Sequence, residues 1–116
     1  MKMPLAYVTA AWSGDPTEAT EQAARYCRAV YEAGFSPICP TLYLPLFLND
    51  AVPEEHKSSI DMSRDLLRRS RVLVVCGHAV TEAVKNDIAV AQRLKITATT
   101  LEGCLLYTSP RPRDRT

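Results

Sequence analysis

Val72-Leu73-Val74-Val75-Cys76-Gly77 decides the fold. The run before the glycine is continuously apolar, rich in β-branched residues and too short for a buried helix. A strand of that kind is buried on both faces, as strands are in a parallel sheet covered by helices. Gly77-His78 ends it. Upstream, Pro53-Glu54-Glu55 opens a helix reaching about Ser70. Ile60, Ser63, Leu66, Leu67 and Ser70 make its buried side; Asp61, Arg64, Asp65 and Arg68 form a solvated charged face. Downstream, a helix from Thr81 to Lys95 leads to a last strand from Ile96 to Thr100.

The N-terminal half repeats the alternation. Leu5 to Ala10 is a short β-rich run, broken by Ala11-Trp12-Ser13-Gly14. Asp15 is placed as a helix N-cap, Pro16 as the first helical residue, and Glu18 lies three after the cap. The helix extends to Ala33 and stops at Gly34. Its wheel groups Ala19, Ala23, Tyr26, Val30 and Ala33 opposite Glu21, Arg25, Arg28 and Glu32. Phe35 to Cys39 reads as the second strand, ending at Pro40. Thr41 to Val52 is then a long apolar loop: either a binding loop, or a cover in which Leu44, Leu46, Phe47 and Leu48 close one end of the core or an oligomer interface.

The order β-α-β-α-β-α-β predicts an α/β domain, an open parallel sheet of about four strands flanked by helices and joined by right-handed crossovers. Ligands of such sheets bind beyond the carboxyl ends of the strands. Ala11 to Asp15, Pro40 to Tyr43 and Gly77 to Glu82 converge there. The candidate ligand contacts are therefore Trp12, Ser13, Gly14, Asp15, Thr41, Tyr43, Gly77, His78 and Thr81. Helix N-termini after the first and third strands can hold an anionic group. Neither a GxGxxG fingerprint nor a Walker lysine loop is present, so the familiar dinucleotide and ATP sites are not supported.

Asp87 is the most informative side chain. At about 100° per residue, Val90, Ala83, Leu94, Ala91, Val84 and Ile88 fill one arc of their helix, and Asp87 falls inside it. A carboxylate facing a core is costly unless it is paired or lines a cleft. Either Asp87 serves chemistry or a polar network, or the helix rolls and leaves it at a solvated edge.

Composition bounds the rest. A chain of 116 residues holds one core, and 47% apolar with 23% charged residues is ordinary for a globular protein. A formal charge of +1 gives no argument for nucleic-acid binding. No apolar run suits a bilayer span, and Met1 to Ala11 lacks a signal-peptide core. The cysteines (Cys27, Cys39, Cys76, Cys104) form no CxxC pair and read as reduced thiols of a cytoplasmic protein. With only His56 and His78 besides, no metal site and no cofactor are expected. Residues 1–103 are read as the domain. Residues 104–116, with arginine and proline at the end, lose all periodicity and are expected to be a flexible tail. That tail resembles translated sequencing-adapter read-through and is given no functional weight.

Trp12 and Tyr43 can each stack a base or simply pack. His78 is placed to titrate in the cleft or to be merely exposed, and His56 is a surface residue. Cys76, inside a buried strand, reads as packing.

A family resemblance runs through these residues. It is carried by Tyr7-Val8, Ser13-Gly14-Asp15, Ala24 to Cys27, Gly34-Phe35-Ser36-Pro37-Ile38, Pro45-Leu46-Phe47-Leu48-Asn49-Asp50 and Pro53-Glu54-Glu55. Leu66-Leu67-Arg68-Arg69, the strand to Gly77, and Thr81-Glu82 through Asp87-Ile88-Ala89 continue it. Together, over about residues 4 to 100, they resemble an uncharacterised bacterial and phage family related to the nucleoside 2-deoxyribosyltransferases.

The resemblance implies a Rossmann-like or flavodoxin-like domain with a cleft for a nucleoside or nucleotide. In active transferases a helix glutamate attacks C1′ of the deoxyriboside and a first-strand tyrosine orients it. Asp87 and Tyr7 match those positions here. A carboxylate can trap an oxocarbenium-like sugar as an ester, and Glu82 or Asp15 can help the base leave. Tyr7 and Asp87 are thus expected to meet at one end of the sheet. The resemblance also implies a homo-oligomer with the Thr41 to Val52 loop near an interface.

The chain departs from the family pattern at the cleft. Aspartate replaces glutamate, Thr41 stands in place of a histidine, Ser70-Arg71 in place of Cys-Asp, and Ala83 in place of a glycine. The functions left open are N-glycosidic bond cleavage or transfer, a non-catalytic nucleotide-derived ligand sensor or phage accessory protein, and a structural oligomer with a vestigial cleft.

Overall fold

β1 (Leu5–Ala10) and β3 (Val72–Cys76) lie side by side in the middle of a parallel sheet, in a computed structural model that describes residues 3–101. β2 (Ser36–Ile38) pairs with the outer side of β1, and β4 (Thr97–Thr100) with the outer side of β3, giving the order β2-β1-β3-β4. The helices α1 (Pro16–Glu32), α2 (Pro53–Arg69) and α3 (Glu82–Arg93) alternate with the strands. This is the expected open, four-stranded, Rossmann-like α/β sheet.

The alternation of side chains along β1 builds two cores. Ala6, Val8 and Ala10 point to the α1 side, where they join Ala23, Val30, Ala33, Phe35, Val72, Val74 and Cys76. Tyr7 points to the other side with Leu73, Leu67 of α2, and Val90 and Ala91 of α3. α1 thus covers one face, and α2 with α3 the other. Right-handed crossovers demand this when the direction of travel across the sheet reverses, and the reversal falls between β1 and β3. Burying a Leu or Val side chain such as Leu67, Leu73, Val8 or Val74 contributes about 1.5–3 kcal/mol each, so both faces are firmly held.

Local chemistry sets the helix ends. Asp15 Oδ1 accepts from Thr17 N at 2.8 Å and Glu18 N at 3.2 Å, so it is the N-cap of α1. α1 and α3 end alike. Gly34 N bonds Tyr31 O and Phe35 N bonds Val30 O; Lys95 N bonds Gln92 O and Ile96 N bonds Ala91 O. Both are Schellman turns, with a left-handed residue just past the helix: Gly34 at φ +100° in one and Lys95 at φ +61° in the other.

Four expectations are corrected. β2 is shorter than Phe35 to Cys39, because it is an edge strand in which Pro37 offers no donor and Phe35 turns into the α1-side core. The 41–52 loop is not wholly irregular: it holds 3-10 turns at Pro40–Leu42 and Leu44–Leu46, each with a proline at an early position. Its apolar side chains divide, for Leu44 is buried while Leu46 and Phe47 are exposed. On α2, Ile60 is exposed, since the helix meets the rest of the domain mainly through its second half, around Leu66 and Leu67. Ala83 is likewise exposed at the start of α3. None of the described helices is long and apolar enough to cross a membrane. The 104–116 tail and Cys104 lie outside the described residues.

Candidate functional site

Thr9 follows Tyr7 by two positions on β1 and so is directed toward α2 and α3 with it. Its hydroxyl donates to Asp87 Oδ2 at 2.6 Å. Asp87 reaches it because α3 buries Val84, Val90 and Ala91, and a side chain between them on that face must point at the sheet. Asp87 is therefore neither a core charge without a partner nor a solvated edge residue: it is half-buried and hydrogen-bonded.

Burial pushes the Asp87 carboxyl above its ordinary range, and the Thr9 hydrogen bond and the nearby Arg64 charge pull it back. Tyr7 is buried beside it. Loss of water raises the Tyr7 phenol well above its usual value, the Asp87 charge raises it further, and a hydrogen bond with Ser63 opposes both. Cys39 and Tyr43 add smaller upward pushes. Tyr7, Thr9, Ser63 and Asp87 thus form one polar cluster between the sheet and its α2–α3 cover, with the charge of the exposed Arg64 acting on it from α2. Tyr7 stays protonated at neutral pH and can donate a hydrogen bond.

The other candidate residues are distributed differently. Gly77 and His78 line a cavity of about 410 Å³ with Tyr26, Val75, Thr100 and Leu101. That volume lies within the range of small-molecule sites. Tyr7, Thr9 and Asp87 are not part of its wall, but Val75 stands opposite Thr9 in the β1–β3 register, so the two places occupy neighbouring strands. Gly77 adopts φ +78°, and a Cβ there would stand 3.0 Å from the Tyr26 hydroxyl, so the glycine permits Tyr26 to close one side. Trp12 packs on the α1-side core and meets Tyr26 at a ring separation of 6.1 Å. Tyr43 stacks with Phe47 at 6.3 Å. Thr41 is half-buried in the first 3-10 turn.

Three residues are held in local structure. Ser13 donates to Glu18 Oε1 and accepts from Asp15 N, and Asp15 is occupied as the α1 cap. The N-terminus of α1 therefore carries its own carboxylate, and its first donors are taken. Thr81 caps α3, accepting from Val84 N at 3.4 Å. Gly14 is exposed and unencumbered. Glu82, its side chain 86% exposed, pairs with Lys85 at 3.4 Å on the surface. It is not part of the Tyr7–Asp87 cluster.

Sequence reasoning missed Thr9, Ser63 and Arg64. Strand alternation already puts Thr9 on the Tyr7 face, a signal that was available. Arg64 is exposed, as expected of the charged face of α2, and its charge also acts on Asp87, because α2 lies beside α3.

The fold and this cluster define an open parallel α/β domain with a half-buried carboxylate against its central strand. Residues 4–101 match the domain of unknown function DUF7768, and the chain belongs to that family. No curated protein matches it.

Proposed function

We propose that the domain cleaves or transfers the N-glycosidic bond of a nucleoside or nucleotide, with Asp87 as nucleophile and Tyr7 orienting the sugar. The hydrogen bond from Thr9 to Asp87 Oδ2 is the observation that carries this reading. It fixes one carboxylate oxygen and leaves the other to act on the sugar. Asp87 Oδ1 attacks C1′, the C1′–O bond forms, and the C1′–N bond breaks as its electron pair leaves with the base, which takes a proton from solvent. Water or a second base then attacks C1′ of the ester and returns the carboxylate. Arg64 favours the ionised carboxylate that the first step requires.

A second reading is a ligand-binding relative without turnover. It is favoured by Glu82, which pairs with Lys85 at the surface instead of joining Asp87 as an acid. Incubation with a panel of deoxynucleosides and their monophosphates, read as free base by chromatography, separates the two. Free base that disappears in Asp87→Asn supports the enzyme. Saturable ligand binding without base release supports the sensor. The exposed Leu46 and Phe47 support self-association through the 41–52 loop.

A further inference from the structure

The fold brings together two cysteines that the sequence leaves scattered. Cys27 lies on α1, and Cys39 directly follows β2, where α1 packs on both β2 and the first 3-10 turn. Cys39 belongs to the α1-side core, Cys27 packs against that core, and the two thiols are close enough to act on each other. They differ in access. Cys39 is only 6% exposed, while Cys27 is half-buried and open to a small oxidant.

We infer that Cys27 and Cys39 are a redox-active pair, in which hydrogen peroxide oxidises Cys27 and Cys39 resolves it into an intramolecular disulfide. The Cys27 thiolate attacks one peroxide oxygen, and the O–O bond breaks to give a Cys27 sulfenic acid and hydroxide, which leaves as water after taking a proton. The Cys39 sulfur then attacks the Cys27 sulfur. The S–S bond forms, the S–O bond breaks, and the sulfenic oxygen departs as a second water carrying the Cys39 proton. Both thiols are oxidised by one electron each, and peroxide takes up two.

The local chemistry fits this division of labour. The neighbouring Cys39 thiol holds the Cys27 thiol below its ordinary value against the opposing effect of burial, so Cys27 is the better nucleophile. Cys39, beside Cys27 and buried, is held up, and the backbone N–H groups of Thr41 and Leu42 pull its sulfur the other way. Those N–H groups steady the charge that develops on Cys39 when its proton leaves. The disulfide would fasten α1 to the base of the loop that carries Thr41 and Tyr43. The pairing is independent of any glycosidic activity.

Peptide mapping of the reduced full chain after treatment with equimolar hydrogen peroxide, with alkylation before digestion, tests it. The expected product joins the Cys27 and Cys39 peptides within one molecule, with loss of two hydrogens, loss of both alkylatable thiols and full reversal by dithiothreitol. Cys39→Ser should leave a Cys27 sulfenic acid that dimedone captures, and Cys27→Ser should leave Cys39 alkylatable after unfolding. Wild-type protein that keeps both thiols alkylatable, or that links either one to Cys76 or Cys104, overturns the proposal. The wild-type map decides the matter even where a serine variant fails to fold.

Discussion

Thr9 Oγ1 donates a 2.6 Å hydrogen bond to Asp87 Oδ2, joining the carboxyl half of β1 to the middle of α3. A bond from a buried hydroxyl to a carboxylate is charge-assisted and stronger than one between neutral groups. It does not outweigh burial, which leaves the Asp87 carboxyl above its unfolded value of 3.8.

Asp87→Asn keeps the shape and an acceptor for Thr9 while removing the charge. Because the native carboxyl binds its proton more tightly than the unfolded one, its stabilising contribution is full below pH 3.8 and is lost as pH rises through the folded value. Urea unfolding should therefore find the variant and wild type similar in stability at the acid end, with the variant ahead near neutrality. An equal gap at both ends would show that Asp87 is not desolvated. Base release, where wild type has it, should fall by at least about a thousandfold.

Tyr7→Phe tests the buried phenol. Losing the Ser63 hydrogen bond should cost about 1 kcal/mol at neutral pH. The Tyr7 phenol has a raised folded value, so its contribution is complete below the unfolded value of 10.0 and is lost as pH climbs through the folded one. The wild type's advantage over Tyr7→Phe should shrink above that pH in denaturation curves. Glycosidic activity should drop by about tenfold or more, as expected when a positioning contact is removed.

How far the sequence was legible can be read along the chain. β1 and β3 were found to the residue because apolar runs bounded by breakers are strong local signals. α1 was bounded by its own chemistry, Asp15-Pro16 at one end and Gly34 at the other. β2 was overdrawn because nothing local marks an edge strand's length. The wheel points Asp87 inward and strand alternation puts Thr9 on the Tyr7 face, but only the packing of α3 on β1 brings the two together. Arg64 and the Cys27–Cys39 contact were invisible for the same reason, since each depends on how separate elements pack.

Lys95→Gly should stabilise the protein. Lys95 holds φ +61° in the turn that ends α3, where Gly34 serves at the corresponding place after α1. A side chain in that region costs about 1–2 kcal/mol, whereas glycine returns about 0.4–1 kcal/mol through unfolded-chain entropy. The net gain should be about 0.5–1 kcal/mol, measured as a higher urea midpoint with unchanged slope. A lower midpoint would mean that the lysine stem makes contacts worth more than the backbone strain.

Self-association should run through the 41–52 loop. Leu46 is 82% and Phe47 58% exposed, adjacent in sequence and beside the exposed Tyr43. Sedimentation at micromolar concentration should give a dimer or larger species, and Leu46→Asp with Phe47→Asp should return it to monomer without loss of helix signal. A wild type that sediments as a strict monomer removes the interface.

Asp87→Glu is the sharpest test of the proposed chemistry. One added methylene extends the carboxylate by about 1 Å, a displacement on which rates can change about a hundredfold. The same extension crowds Thr9 and Tyr7, so the fold should weaken by about 1–3 kcal/mol. For a domain whose aspartate limits an otherwise competent site, base release should hold or rise despite that loss of stability, while Asp87→Asn stays silent. Stability and activity would then move in opposite directions in both variants, a pattern that a purely structural Asp87 does not produce. Absence of free base from wild type and Asp87→Glu alike, across deoxynucleosides and their monophosphates, would leave the ligand-binding reading standing.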